Sequence, residues 1–179
     1  MSYLPLAGVL LLVTMVFMWR PRLPRRRQGI WGMVMLIMLP VLLLGQAALA
    51  AWWPDALALS EADRRAAPGA RLVLGTVLLF GGLLLQAAAM HQSAMPGLVT
   101  SGLYRFSRNP IFLALLAALA GYMLLLPTLL SAAILIGAYL AIRQQIAEEE
   151  TCLARAYGDQ YREYAHRVGR LLPGIGKLD

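Results

Sequence analysis

Residues 111 to 142 form a run of 32 residues without one charged side chain. A stretch this apolar has to be kept from water, in a core or in a bilayer. As one straight helix it would reach about 48 Å, far beyond a hydrocarbon core of about 30 Å. Pro127 divides it into pieces of 16 and 15 residues, because proline lacks the amide donor that an interior helical turn needs. Each piece is about 24 Å long as a helix, which predicts a tight hairpin that thins or dips within the membrane. An even number of crossings returns the chain to the face it left, so the segments before and after the run meet on one side.

The rest of the chain reads the same way. It is 60% hydrophobic and 14% charged, with mean hydropathy +0.65, too apolar for an ordinary soluble domain. The expected fold class is an all-α polytopic membrane protein of about five transmembrane helices, at about 3–19, 29–53, 70–90, 111–126 and 128–146. The last two form the hairpin, and all lie in one membrane domain, 1–179. A motif loop occupies 91–110, and a cytoplasmic C-terminal segment, 147–179, carries an amphipathic helix. Residues 3–19 read as a retained span rather than a cleaved leader, since no basic leader or small-residue cleavage site accompanies them. Gly75, Gly81 and Gly82 would let the third span pack closely.

Loop charges orient these spans. Five arginines stand in the eight residues 20–27, and the positive-inside rule places that loop in the cytoplasm. The near-neutral loop 54–69 is outside. The tail is again basic, with Arg143, Arg155, Arg162, Arg167, Arg170 and Lys177. An N-terminus outside and a C-terminus in the cytoplasm, as in a multi-pass protein of a bacterial inner membrane, satisfy every loop. The net charge of +7 lies between apolar runs, a pattern suited to anionic lipid headgroups and not to nucleic acid. The lone Cys152 reads as a packing residue. With only His91 and His166 beside it, the sequence offers no metal site.

Polar chemistry concentrates in two places. The first is Leu98-Val-Thr-Ser-Gly-Leu-Tyr-Arg-Phe-Ser-Arg-Asn-Pro-Ile-Phe-Leu113. Here Gly102 permits a turn or a close approach, Arg105 and Arg108 offer planar cationic donors, and Pro110 starts the apolar helix. Such a loop could hold an anionic or zwitterionic small molecule at the membrane surface, or could serve only to set topology. The second is Glu148-Glu149-Glu150, followed by Leu153, Tyr157, Tyr161 and Tyr164 at helical spacings. Those four share one face, available to lipid or to the spans.

Read with Val168-Gly-Arg170-Leu-Leu-Pro173, these two stretches resemble the isoprenylcysteine carboxyl methyltransferase and phospholipid methyltransferase superfamily, small integral membrane enzymes that use S-adenosylmethionine. The resemblance covers roughly the C-terminal 80 residues. It implies that Leu98, Gly102, Tyr104, Arg108, Asn109, Pro110 and Glu149 bind the cofactor. Glu150 is the candidate general base for an acceptor that arrives protonated. Arg143 stands nearest to the arginine that prenylcysteine enzymes carry four residues before the glutamate pair, where this chain has Gln145. Arg167 and Arg170 are candidate contacts to a headgroup or substrate. Prenylcysteine enzymes usually carry Arg-His-Pro where Arg108-Asn109-Pro110 stands, whereas the Asn-Pro form is similar to phospholipid N-methyltransferases. The implied acceptor is a membrane lipid or another amphipathic molecule at the inner surface. Two alternatives remain: a membrane reductase of the sterol reductase type, and a non-enzymatic membrane subunit with a decayed cofactor site. No Gly-x-Gly-x-x-Gly follows a strand pattern, so a cofactor would have to sit between helices.

Overall fold

The computed structural model describes residues 68–94 and 96–176. The spans expected at 3–19 and 29–53, the basic loop 20–27 and the loop 54–67 lie outside the described residues. Within them the chain forms four α-helices and no strand: α1 (Pro68–Ser93), α2 (Pro110–Leu125), α3 (Leu129–Tyr157) and α4 (Asp159–Arg167). A 3-10 turn, Gly102–Arg105, interrupts the connection between α1 and α2. α1 contains a 25-residue apolar stretch, Gly69–Ser93, long enough to cross a membrane.

α1 and α2 meet along small residues. A Cβ on Gly82 would stand 2.6 Å from the Ala118 amide nitrogen and 2.7 Å from the Ala114 carbonyl oxygen, and a Cβ on Gly121 would collide with the Leu79 amide nitrogen. The two backbones are therefore in contact, which only glycine and alanine allow and which gains dispersion along the whole interface. Gly75 takes part in the same way, facing Gly121 and Leu125. Gly81 does not join this interface: among the described residues a Cβ there would meet nothing within 4 Å, because it is one residue, about 100°, round the helix from Gly82. The far side of α1 exposes Leu72, Val73, Val77 and Leu84, a surface suited to lipid.

The break at Pro127 is where the sequence places it. α2 ends at Leu125, and Thr128 and Ser131 cap α3 reciprocally: the Thr128 hydroxyl accepts from the Ser131 amide at 3.0 Å, and the Ser131 hydroxyl accepts from the Thr128 amide at 3.0 Å. α3 then packs Ile134, Ala138, Ile142 and Ile146, spaced four apart, into one cluster with Phe112, Leu115, Leu119 and Tyr122 of α2, a cluster that Leu79 and Leu83 of α1 also join. The three helices thus share one core.

α3 continues 29 residues to Tyr157, so Glu148, Glu149 and Glu150 lie inside it rather than opening a new helix. At about 43 Å it is longer than a bilayer core is thick, and its last third carries the acidic run beyond the apolar core. Gly158, at φ +53°, ends it in a conformation few other residues adopt. α4 follows and buries Tyr161, Tyr164 and Ala165 against Leu98, Leu153, Ala154 and Tyr157. The face expected for Leu153, Tyr157, Tyr161 and Tyr164 is present, and it packs on the motif loop.

Candidate functional site

The site begins with how the motif loop is held. Gly102 has φ +61°, and a Cβ there would overlap the Gln92 side chain, whose Oε1 accepts from the Leu103 amide at 2.9 Å. The close approach that the glycine permits is to this end of α1. Two residues on, the Tyr104 carbonyl accepts a 2.6 Å hydrogen bond from the Tyr164 hydroxyl, which ties the loop to α4. Burial pushes the Tyr104 phenol up to about 12, with the nearby Glu149 carboxylate adding to the effect and a hydrogen bond with Ser93 opposing it. Burial likewise raises Tyr161 to about 12 and Tyr164 further still. All three hydroxyls keep their protons at neutral pH.

Ser107, Arg108, Asn109 and Pro110 are all buried, although the first three are polar. Their partners come from beyond α4. The Arg108 amide donates to the Gly169 carbonyl at 3.0 Å, and its Nη2 donates to the Gly176 carbonyl. Asn109 Nδ2 donates to the Arg170 carbonyl at 3.0 Å. Asn109 occupies the N-cap position of α2 but makes no side-chain cap; its amide fastens the C-terminal segment, while Pro110 starts the helix at a position where a missing donor is harmless.

Glu150 reaches the cluster from α3. Its Oε1 lies 3.5 Å from Arg108 Nη2, and its Oε2 accepts a 2.6 Å bond from Arg170 Nη2. The Arg108 side chain is only 1% exposed, against 11% for Glu150 and 43% for Arg170. A guanidinium so desolvated is tolerable only beside a carboxylate and carbonyl acceptors. Among the described residues Nε and Nη1 of Arg108 have no hydrogen-bond partner, so the guanidinium keeps capacity for a ligand, whereas Glu150 Oε1 meets Arg108 as an ion pair without a hydrogen bond. The Tyr161 hydroxyl lies beside Arg108 without a well-formed hydrogen bond.

Glu149, one residue earlier on α3, points elsewhere. Its Oε1 accepts from Gln145 Nε2 at 3.3 Å, one helical turn back, and it has no cationic partner among the described residues. Burial pushes its carboxyl from 4.5 up to about 7, partly offset by Gln145 and reinforced by Glu148 and Glu150. Neighbouring carboxylates on one helix thus stand in opposite states, Glu150 ion-paired and Glu149 able to carry a proton near neutrality.

Of the residues singled out from the sequence, Leu98, Gly102, Tyr104, Arg108, Asn109, Pro110, Glu149, Glu150 and Arg170 belong to this loop, helix and tail assembly. Two do not join it. Arg143 is exposed, its guanidinium 5.9 Å from the centre of the Tyr139 ring, and the polar contact to Glu149 comes from Gln145 instead. Arg167 is exposed and pairs with Glu163 on its own helix at 3.5 Å. Cys152 is exposed, contrary to its reading as a packing residue, since it lies on the far side of α3 from Ile146 and Glu150. Gln92, Ser107, Tyr161, Tyr164, Gly169 and Gly176 were not among the expected site residues. Among these, Tyr161 and Tyr164 carried a signal, their shared face with Tyr157; the glycines act through carbonyl oxygens, which every residue has.

The described residues thus combine helices alone, one of them apolar and long enough to cross a membrane, with a buried polar cluster that ties the motif loop, α3 and the tail together. The family model described as phospholipid methyltransferase matches residues 70–160, half of the chain. The chain belongs to that family, and so to the superfamily that also includes the isoprenylcysteine enzymes: it is a membrane methyltransferase. No curated protein matches it. The match spans α1, the motif loop, α2 and α3 and stops before Tyr161, Tyr164, Gly169, Arg170 and Gly176.

Proposed function

We propose that this protein transfers a methyl group from S-adenosylmethionine to an amphipathic or lipid-like acceptor at the inner face of a membrane. The observation that carries the reading is the meeting of Arg108 with Glu150, and of Glu149 with the motif loop, at the foot of an apolar helical core. The cofactor is a sulfonium cation bearing an amino acid. It therefore asks for cationic donors toward its carboxylate and for carboxylates toward its ammonium and sulfonium. Arg108, with Nε and Nη1 buried and unpartnered, suits the first; Glu150 and Glu149 suit the second. Leu98, Tyr104 and Pro110 would form walls, and Gly102 and Asn109 would hold the loop in position.

The cofactor would supply an electrophilic methyl group to the acceptor atom, with the electron pair of the broken S–CH3 bond kept on the sulfur of the departing S-adenosylhomocysteine. The chain's share is alignment and exclusion of water. An acceptor that arrives protonated must also lose a proton, and here the structure favours a change of roles. Glu150 is occupied by two guanidiniums, whereas Glu149 holds a carboxyl near 7, which makes Glu149 the better general base. Arg143, away from the cluster, is given no role in this reading.

The proposed topology keeps five spans, an outside N-terminus and a cytoplasmic site. The acceptor would enter from the bilayer with its apolar part between helices and its methyl-accepting atom at headgroup level. Calorimetry on detergent-purified protein tests the cofactor: S-adenosylmethionine should bind, and Glu149→Gln and Arg108→Gln should weaken it. Absence of binding by the parent protein would favour the non-enzymatic reading. With labelled cofactor and membranes, label should appear in the lipid extract; label confined to water-soluble products would remove the lipid-like acceptor.

A further inference from the structure

Glu150 faces two guanidiniums that differ in everything that governs exchange. Arg108 is nearly closed off from solvent, shares its Nη2 with the Gly176 carbonyl and stands 3.5 Å from the carboxylate. Arg170 is 43% exposed and makes the shorter contact, 2.6 Å. Its backbone is fixed independently of its side chain: the carbonyl accepts from Asn109 Nδ2, and the amide donates to the Ile175 carbonyl at 2.9 Å. The guanidinium can leave Glu150 while the segment that bears it stays in place.

We propose that Arg170 is the exchangeable counter-ion of Glu150: it yields the carboxylate to the cationic end of the cofactor, and its released guanidinium receives an oxyanion carried by the acceptor. The inference rests on the cofactor reading given above. It concerns a residue ten positions beyond the end of the family match at 160. A further cation entering while both arginines remain would put three positive groups around one carboxylate, one of them with no access to water. Release of Arg170 removes that conflict at little cost, since its side chain is already half in solvent. Once free, it presents a planar fork matched to a carboxylate or a phosphodiester. Cofactor would then bind first and acceptor second, each strengthening the other.

The test uses the full chain in non-ionic detergent, with calorimetric titration of S-adenosylmethionine. Arg170→Gln should tighten binding about fivefold, the scale of a half-exposed ion pair, and Arg170→Lys should stay near the parent. A merely structural role predicts the opposite sign, weaker binding together with a lowered melting temperature. Arg170→Met, which keeps the packed stem, replaces the Gln variant if that one shows no cooperative unfolding. A second titration adds dihexanoylphosphatidylglycerol or decanoate with and without saturating cofactor. One of the two should bind more tightly in its presence in the parent and not in Arg170→Gln, with a response to the first marking a phosphodiester and to the second a carboxylate. Unchanged or weakened cofactor binding in Arg170→Gln, or the same response to both probes in parent and variant, overturns the exchange. A parent that binds no S-adenosylmethionine overturns the cofactor reading itself.

Discussion

The α1–α2 interface and the cluster around Arg108 are both tightly packed, but opposite means hold them. Along α1 and α2 the partners are glycine, alanine and apolar side chains, and the distance between backbones is set by what the sequence leaves out. Around Arg108 and Asn109 the partners are the Glu150 carboxylate and three backbone carbonyls, those of Gly169, Arg170 and Gly176, and the carbonyls come from more than sixty residues away. The first arrangement depends on volume and tolerates no added atom. The second depends on charge and tolerates no lost partner. A membrane enzyme needs both, since the apolar pair anchors the helices and the polar cluster ties the loop, α3 and the tail into one site.

The largest expected effect lies in the second region. Glu150→Gln keeps the shape but removes the charge shared by Arg108 and Arg170, leaving Arg108 buried with only carbonyl acceptors. A buried pair broken from one side costs about 3–5 kcal/mol, and the exposure of Arg170 favours the lower end of that range. Thermal unfolding in detergent should show a large drop, and a variant as stable as the parent would mean that water already solvates Arg108.

Next comes the apolar interface. Gly82→Ala places a methyl group against the Ala118 and Ala114 backbone, which cannot rotate away, and should cost about 1–3 kcal/mol. Gly81→Ala, one position along, meets nothing among the described residues and should instead stabilise the helix by about 0.5–1 kcal/mol. The pair sharpens the comparison, because two neighbouring glycines should respond with opposite signs. Equal melting temperatures for the two variants would show that α1 and α2 are not in backbone contact.

These two regions were also unequally legible in the sequence. The apolar one follows from short-range rules: the uncharged run, the break at Pro127 and the glycines of α1 announce helices that must pack closely. Even there, Gly81 and Gly82 could not be told apart until the rotation of α1 against α2 was known. The polar region was legible as ingredients. Arg108, Asn109, Glu149 and Glu150 stood out through the family resemblance, but their bonds to the carbonyls at 169, 170 and 176 did not, because a carbonyl has no residue identity. The exchange of Arg143 for Gln145 beside Glu149 is a matter of spacing on one helix. Four residues brings side chains together on α3, and six does not.

Asn109 gives a smaller and more local effect. Asn109→Ala removes the 3.0 Å bond to the Arg170 carbonyl and should cost about 1 kcal/mol, whereas the ion pair of Arg170 with Glu150 should survive. Hydrogen exchange should then report faster opening at residues 169–176 with little change in α1 and α2. Uniform acceleration across all helices would mean that the tail segment is part of the core rather than fastened to it.

The smallest effect is the dependence of stability on pH through Glu149, and it separates the two neighbouring carboxylates most sharply. In the folded protein burial holds this carboxyl near 7, against 4.5 ordinarily, so the folded state binds the proton more tightly than the unfolded state does. Below about 4.5 both states are protonated, and Glu149 costs nothing. As pH rises toward 7 the unfolded chain ionises first and gains on the folded one, so stability falls across that window and levels off above it. The decline should fall well short of the roughly 3 kcal/mol that a shift from 4.5 to about 7 carries in full, because the side chain is not closed off from solvent and Gln145 solvates it in part. Glu149→Gln should remove this component, making the variant more stable than the parent at pH 8 and no more stable at pH 4.5. Melting temperatures measured across that range in one detergent decide the matter: parallel curves for parent and variant would mean that Glu149 ionises as a surface carboxylate does, and the proton-accepting role proposed for it would then pass to another group.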